Sequence, residues 1–274
     1  MFQEILEKVQ RTIPLVHCIT NYVTVNDCAN ILLAAGASPI MADDENEVEE
    51  ITSLCNALAI NIGTLNGRTI ESMILAGRKA NELSHPTVLD PVGAGASNLR
   101  TSTTKKLIDQ IHFSVIRGNI SEIKTIAMGS GNTKGVDADT TDAITEETLD
   151  DVIDFSKELS ARLNSVIVIT GAIDIVTDGT KTYMVRNGHG VMSKITGTGC
   201  MLTAMIAGFC AANPDNIVTA AATAVTVMGI SGELAYEKMR INDAGTSSFR
   251  NYLIDEVSKM NALTLKEGMK VECR

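Results

Sequence analysis

Ile195-Thr196-Gly197-Thr198-Gly199-Cys200-Met201-Leu202 is a glycine-punctuated turn running straight into an apolar segment, Met201 to Phe209, built from good helix formers. Gly197 and Gly199 remove side chains where the backbone must bend or let a ligand approach. Thr196 or Thr198 can cap the helix that follows. The first free N–H groups of that helix then face the turn at its partly positive end, where an anion fits. Cys200 falls in the first helical turn, facing the same anion. Alone, the stretch reads equally well as a capped loop-to-helix turn with a buried cysteine. The rest of the chain has to decide.

Its 274 residues suffice for one large α/β domain or two small ones. Hydrophobic residues make up 45% and charged residues 20%, a globular balance. Aromatic residues are only 3%, without Trp, so the core must be aliphatic. A formal net charge of −10 argues against nucleic acid and anionic membrane surfaces as partners. It also means that a polyanionic ligand needs local help from helix ends, a cation or placed Arg and Lys. Cys18, Cys28, Cys55, Cys200, Cys210 and Cys273 form no C-x-x-C pair and no zinc spacing. Free cysteines in apolar surroundings fit a reducing, cytoplasmic compartment. No apolar run reaches the ~18 residues that suggest a membrane span, and the mixed-charge N-terminus is not a signal peptide.

Outward from the opening stretch, short apolar runs alternate with helical patterns. Strands are expected at 15–19, 37–41, 56–62, 87–89, 113–116 and 165–170, and a hairpin over 173–186 turning at Asp178-Gly179. Helices are expected at 2–11, 25–35, 70–83, 149–163, 201–211, 217–239 and about 247–263, with another closing at Leu107 to Ile111. The acidic run 43–47 should begin a solvated helix, and 129–145 reads as an exposed loop. No composition shift or repeat marks a boundary, so residues 1–274 should form one α/β domain around a mainly parallel sheet.

Polar residues gather where the strands end: Thr20-Asn21, Gly63-Thr64, Asp90-Pro91, Arg117-Gly118-Asn119 and Thr170-Gly171. In an open parallel sheet, ligands bind beyond the carboxyl ends of the strands. Asp90 and Glu122 are two carboxylates that could together hold a hydrated Mg²⁺. Each has a second reading, Asp90 as a turn cap and Glu122 as a helix N-terminal carboxylate. Arg117 suits a phosphate, or an ion pair with a protein carboxylate. The four histidines show no metal-ligand spacing; His17 reads as a core or turn residue and His189 as a loop residue. There is no G-x-x-x-x-G-K-[ST] loop and no G-x-S-x-G elbow, and Gly93-x-Gly95 lacks the third glycine of a dinucleotide fingerprint.

At this level of detail the chain resembles a known family. Gly197-Thr198-Gly199-Cys200 is similar to the G-[TA]-G-D signature of ribokinase-like kinases, with Cys in place of Asp. Asn21-Tyr22-Val23, Ser38-Pro39-Ile40-Met41, Asp90-Pro91-Val92-Gly93-Ala94-Gly95, Arg117-Gly118-Asn119-x-x-Glu122 and Val168-Ile169-Thr170-Gly171 resemble hydroxyethylthiazole kinases, in order from about residue 14 to about 210. The resemblance implies a ribokinase-like three-layer α/β/α fold and a homotrimer with active sites at the subunit interfaces. It implies ATP-dependent phosphorylation of 4-methyl-5-(2-hydroxyethyl)thiazole for thiamine. Met41 and Asn21 would then contact the thiazole and Gly197 the substrate hydroxyl region. Arg117 and Thr170 would contact ATP, and Asp90 and Glu122 would serve Mg²⁺. The turn Gly197, Thr198, Gly199, Cys200 would be catalytic, with Cys200 where the superfamily has its base. Rival readings are a kinase for another small alcohol, such as hydroxymethylpyrimidine or pyridoxal, a repair dehydratase for hydrated NADH, or a binding protein without catalysis.

Overall fold

In the computed structural model, which describes residues 1–128 and 144–274, a nine-stranded sheet organises the molecule. Its strands are β1 (Leu15–Ile19), β2 (Ser38–Ile40), β3 (Ala57–Asn61), β4 (Thr87–Asp90), β5 (Val115–Asn119), β6 (Val166–Thr170), β7 (Asp174–Thr177), β8 (Thr182–Val185) and β9 (Val271–Cys273). They lie in the order β2-β1-β3-β4-β5-β6-β7-β8-β9. The pairs from β2 to β6 are parallel and the last three are antiparallel. The order reverses at β1, which has β2 on one side and β3 on the other, and this is where an open α/β sheet makes its crevice.

The two faces of the sheet differ in residue size because side chains alternate with period two. Val16, Cys18, Ala57, Ala59, Val88, Val115, Val166 and Val168 turn to one face. Leu58, Ile60, Leu89, Ile116, Ile167 and Ile169 turn to the other. The small-residue face receives α1 (Phe2–Thr12), α2 (Val25–Ala35), α8 (Thr198–Ala212), α9 (Ile217–Ile241), α10 (Thr246–Ser258) and α11 (Ala262–Gly268). The Ile/Leu face receives α3 (Val48–Leu54), α4 (Gly67–Glu82), α5 (Asn98–Gln110), α6 (Ile120–Met128) and α7 (Leu149–Leu163). This is the three-layer α/β/α arrangement. Small side chains let α8 lie close to its neighbours: a Cβ on Gly208 would sit 3.3 Å from Leu32 Cδ2 of α2 and 3.7 Å from Val16 Cγ2 of β1.

Several elements depart from the sequence expectation, each for a local reason. The acidic run 43–47 precedes its helix, because Asp44 Oδ1 accepts from the Asn46 backbone N–H at 3.0 Å and closes an Asx turn. Glu49 and Glu50 supply the first-turn carboxylates instead. The strand expected at 113–116 begins at Val115 and runs on through Arg117-Gly118-Asn119, which pair with Val168-Ile169-Thr170 of β6. The helix expected over 247–263 is two, since Asn261 Oδ1 caps a new start by accepting from Leu263 and Thr264 N–H at 3.0 Å. After it, Val271–Cys273 adds an unforeseen edge strand to β8.

The helical run Pro214–Ile241 is long and apolar enough to cross a membrane, yet 83% of its most apolar window is buried inside the molecule. Most of the exposed loop expected at 129–145 lies outside the described residues.

His17 is a core histidine. Its Nε2 donates to the Ala42 carbonyl at 2.9 Å and its Nδ1 lies 2.9 Å from Thr52 Oγ1, from which it accepts when the ring is neutral. Burial lowers its pKa.

Candidate active site

The opening turn lies at the carboxyl end of the sheet. Gly197 is the N-cap of α8 with φ +92°, a left-handed conformation that side chains resist. Neither threonine caps the helix: no side-chain bond reaches the cap, and Thr198 Oγ1 turns back to the Met192 carbonyl at 3.5 Å. Met201 is the first residue whose N–H returns to the turn, to the Gly197 carbonyl at 2.8 Å. The N–H groups of Thr198, Gly199 and Cys200 therefore form the open positive end of a 15-residue helix.

Two clefts meet at this helix end. One, of about 700 Å³, is lined by Asn21, Asp90, Asn119, Glu122 and Cys200 among others. The second, of about 590 Å³, is lined by Thr170, Asp174, His189, Met192, Val225 and Met228 among others. Arg117, Ser193, Thr198 and Gly199 line both. A ligand lying across the two would thus pass over the free amides and beneath a guanidinium.

The carboxylates approach the junction from the sheet. Asp90 is fully buried at the end of β4. Its Oδ2 accepts from Thr203 Oγ1 at 2.8 Å and Asn61 Nδ2 at 3.0 Å, and lies 3.6 Å from Arg117 Nη1. Its Oδ1 is buried without a hydrogen-bond partner. Burial raises the Asp90 pKa against the opposing effect of Arg117, Thr203 and Asn61. Glu122 stands in the first turn of α6. Its Oε2 accepts from Asn119 N–H at 2.8 Å while Asn119 Oδ1 accepts from Glu122 N–H at 2.9 Å, a reciprocal cap. Its Oε1 accepts from Gly93 N–H at 2.8 Å, tying the 91–95 loop down. Burial, then the Asp90 charge, pushes its pKa up to about 7. The helix-cap reading of Glu122 therefore holds as geometry, and each oxygen keeps a lone pair for a cation. Among the described residues no group of three or more His, Cys, Asp or Glu side chains forms a metal cage.

Arg117 meets both of its sequence readings. It faces Asp90, and its Nη2 donates to Thr170 Oγ1 at 2.6 Å. Its Nε is buried with no partner, a donor left for a ligand. A Cβ on Gly199 would run into the guanidinium, so a side chain there would displace Arg117. Asn21, 4% exposed, donates from Nδ2 to Cys200 Sγ at 3.2 Å. Burial, then the Asp90 charge, raises the Cys200 pKa, so the sulfur is a thiol near neutral pH. Met41 is the site residue that the fold does not bring along: it packs, half-buried, against the core beyond β2 and is not among the residues lining either cleft.

Sequence reasoning missed Asn61, Thr203, Arg100 and Asp174. Asn61 is a polar residue closing an apolar strand in register with Asp90, which was a usable signal. Arg100 donates to the Val92 carbonyl at 2.6 Å and the Gly63 carbonyl at 2.7 Å, clamping two loops of the first cleft. Thr203 and Arg100 carry no signal of their own, since only the fold places them. Asp174 accepts from Gly171 N–H at 2.9 Å, and burial raises its pKa to about 7.

These shifts have a pH consequence. A carboxyl whose folded pKa lies above its unfolded value takes up its proton earlier in the native state, so acidification stabilises the fold. Between about pH 8 and 6.5 the ligand-free protein should gain melting temperature as Glu122 and Asp174 protonate. Below that range His17, with its lowered pKa, acts in the opposite sense. Asp174→Asn should shrink the gain in calorimetry at the two pH values. An unchanged difference would show that Asp174 is not buried as a charge.

The family model of the hydroxyethylthiazole kinases matches residues 6–262. A hydroxyethylthiazole kinase of Clostridium acetobutylicum is 59% identical over 272 residues, covering 99% of each chain. The solved structure of a hydroxyethylthiazole kinase protein from Pyrococcus horikoshii is 36% identical, with a TM-score of 0.89 over 100% of this chain and 98% of that one. A ribokinase-like superfamily protein from Enterococcus faecalis shares the fold at 13% identity, with a TM-score of 0.61 over 95% of each chain.

Proposed function

The chain belongs to the hydroxyethylthiazole kinase family, and we propose that it transfers the γ-phosphoryl group of ATP to the hydroxyl of 4-methyl-5-(2-hydroxyethyl)thiazole, supplying the thiazole phosphate for thiamine. The observation that carries this reading is the meeting of two clefts over the free amides of Thr198, Gly199 and Cys200, beside Arg117. ATP occupies the second cleft, between Thr170 and the Met192, Val225, Met228 wall. The thiazole occupies the first, beside Asn21 and Gly197.

The hydroxyl oxygen forms the new bond to the γ-phosphorus as the bond to the bridging oxygen of ADP breaks. Such a transfer has a loose transition state and depends mainly on positioning and charge stabilisation. The α8 amides and Arg117 hold the transferring group's oxygens and offset a protein charge of −10. Asp90 and Glu122 suit Mg²⁺: Asp90 Oδ1 is bare, and this ion needs only one or two carboxylates beside water and phosphate. When bound there, Mg²⁺ would neutralise phosphate charge.

Cys200 does not act as the base in this reading, because its thiol already holds its proton. The hydroxyl proton leaves to phosphate or solvent, and the sulfur packs against the reacting group. Cys200→Ala should therefore lower kcat by about tenfold at most, not the 10²–10⁴-fold typical of a lost base. A loss of a thousandfold in steady-state assays would restore the cysteine as a proton acceptor.

The enzyme works as a homotrimer in the cytoplasm. Tyr22, 79% exposed, and Val23, 57% exposed, follow Asn21 at the first cleft, and Met41 lies outside the cleft lining of its own chain. A neighbouring copy covering that mouth and supplying Met41 accounts for both, and light scattering gives the mass that checks it. ADP release with hydroxyethylthiazole, hydroxymethylpyrimidine and pyridoxal tests the substrate. The thiazole should exceed the others in kcat/KM by about a hundredfold or more. Preference for another alcohol, or thiazole binding without ADP release, would overturn the assignment.

A further inference from the structure

Asn61 carries more than a strand end requires. It is 3% exposed, and both its amide oxygen and its amide nitrogen are held by neighbours. Asp90 Oδ2 can only accept in its ionised form, so Asn61 Nδ2 donates to it at 3.0 Å. Asn61 Oδ1 must then accept, and it does so twice, from Asn21 Nδ2 at 3.0 Å and from Gly63 N–H at 2.9 Å. Asn21 is oriented in turn. Its Oδ1 accepts from Thr24 N–H and Thr24 Oγ1, both at 3.1 Å, which leaves Nδ2 to donate to Cys200 Sγ. On the far side, Thr203 Oγ1 joins Asp90 Oδ2 to the α8 helix, one turn beyond Cys200. The result is a closed ring of buried polar groups, Cys200–Asn21–Asn61–Asp90–Thr203, that starts and finishes on α8.

The ring decides which atoms face the substrate. Both neutral donors fall on Asp90 Oδ2, so Oδ1 alone is left bare. The sulfur receives an amide proton from Asn21, with the Thr24 and Asn61 side chains also beside it. Low dielectric strengthens the hydrogen bonds of such a buried network and makes any mismatch within it costly. We infer that Asn61 is a positioning residue for the transfer: one amide sets the orientation of Asp90 on one side and, through Asn21, of the Cys200 sulfur on the other. This rests on the proposed kinase reaction, and it assigns Asn61 no contact with substrate.

Two variants of nearly the same volume separate the two arms. Asn61→Asp keeps an acceptor oxygen for Asn21 and Gly63 but sets a second carboxyl against Asp90, which repels it or shares its proton in place of the neutral amide donor. Asn61→Leu loses both acceptor and donor. The readouts are kcat and KM for the thiazole, and the rate at which iodoacetamide modifies Cys200 in the ligand-free protein, followed by mass spectrometry of the peptide. Both variants should lose kcat about tenfold or more, the order of one hydrogen bond to a charged group, with KM changing less than about threefold. Cys200 modification should not speed up in Asn61→Asp, where Asn21 keeps its acceptor and a further carboxyl opposes the thiolate. In Asn61→Leu it should slow about threefold or more, since the amide donor favouring the thiolate is no longer held in place. The modification rate needs no kinase activity, so it stands even if the substrate assignment falls. Wild-type kcat in Asn61→Asp, or an unchanged Cys200 rate in a folded Asn61→Leu, overturns the inference. If Asn61→Leu fails to fold, Asn61→Asp decides it by kcat.

Discussion

Asp90→Asn should lower turnover by about a thousandfold while moving the melting temperature by no more than about 4 °C. The carboxylate is expensive to bury in its charged form. It is fully buried, and burial raises its pKa despite Arg117, Thr203 and Asn61 beside it. A folded-state pKa above the unfolded one means that the ionised group opposes folding at neutral pH. Asparagine removes that cost and keeps one oxygen to accept from Asn61 and Thr203. Against this, Arg117 loses the charge 3.6 Å away, and an NH₂ replaces the bare Oδ1. The two effects oppose, so stability changes little. Function does not balance in the same way, because a neutral amide neither attracts a cation nor holds Arg117. Steady-state kinetics with calorimetry checks both halves. A folded variant that keeps turnover within tenfold of wild type would remove Asp90 from the chemistry.

Gly197→Ala should be strongly damaging for a single added methyl. At φ +92° an L-residue is strained, and the added Cβ would sit 2.7 Å from Thr24 Cγ2. Left-handed strain and overpacking together should cost about 2–4 kcal/mol in denaturant unfolding. The backbone can escape only by tilting the first turn of α8, which moves the amides of Thr198, Gly199 and Cys200 off their target. Misplacement of about 1 Å is enough to lower kcat a hundredfold. Thr24→Ser distinguishes the causes, because it deletes the clashing methyl and keeps the hydroxyl that donates to Asn21. The double variant should regain part of the stability and most of the lost turnover. No recovery would place the whole penalty on the backbone angle.

The two substitutions show how far the linear chain could be read. Gly197 is legible because a glycine before an apolar helix former announces a turn that side chains cannot enter. The strands are legible because the buried runs Ala57–Asn61 and Val166–Thr170 are short, apolar and bounded by turn residues. Asp90, Arg117, Glu122 and Thr170 are legible because a parallel sheet collects its strand ends on one edge. The break at Asn261 and the strand Val271–Cys273 were not legible. A three-residue edge strand has no periodicity of its own and forms only because β8 offers an open ladder.

The sequence by itself determined the layered architecture, the direction of the sheet and the identity of the groups gathered at its carboxyl edge. It did so because period-two and period-3.6 patterning, glycine and charge act locally. Only the tertiary structure decided what those groups do to one another. It buried Cys200 near Asp90, so that burial and then that charge keep the thiol protonated, and put two buried amides, Asn21 and Asn61, between them. It left Met41 outside the cleft lining of its own chain. Burial and three-dimensional neighbours set protonation and aim, and neither is written in the spacing of residues along a chain.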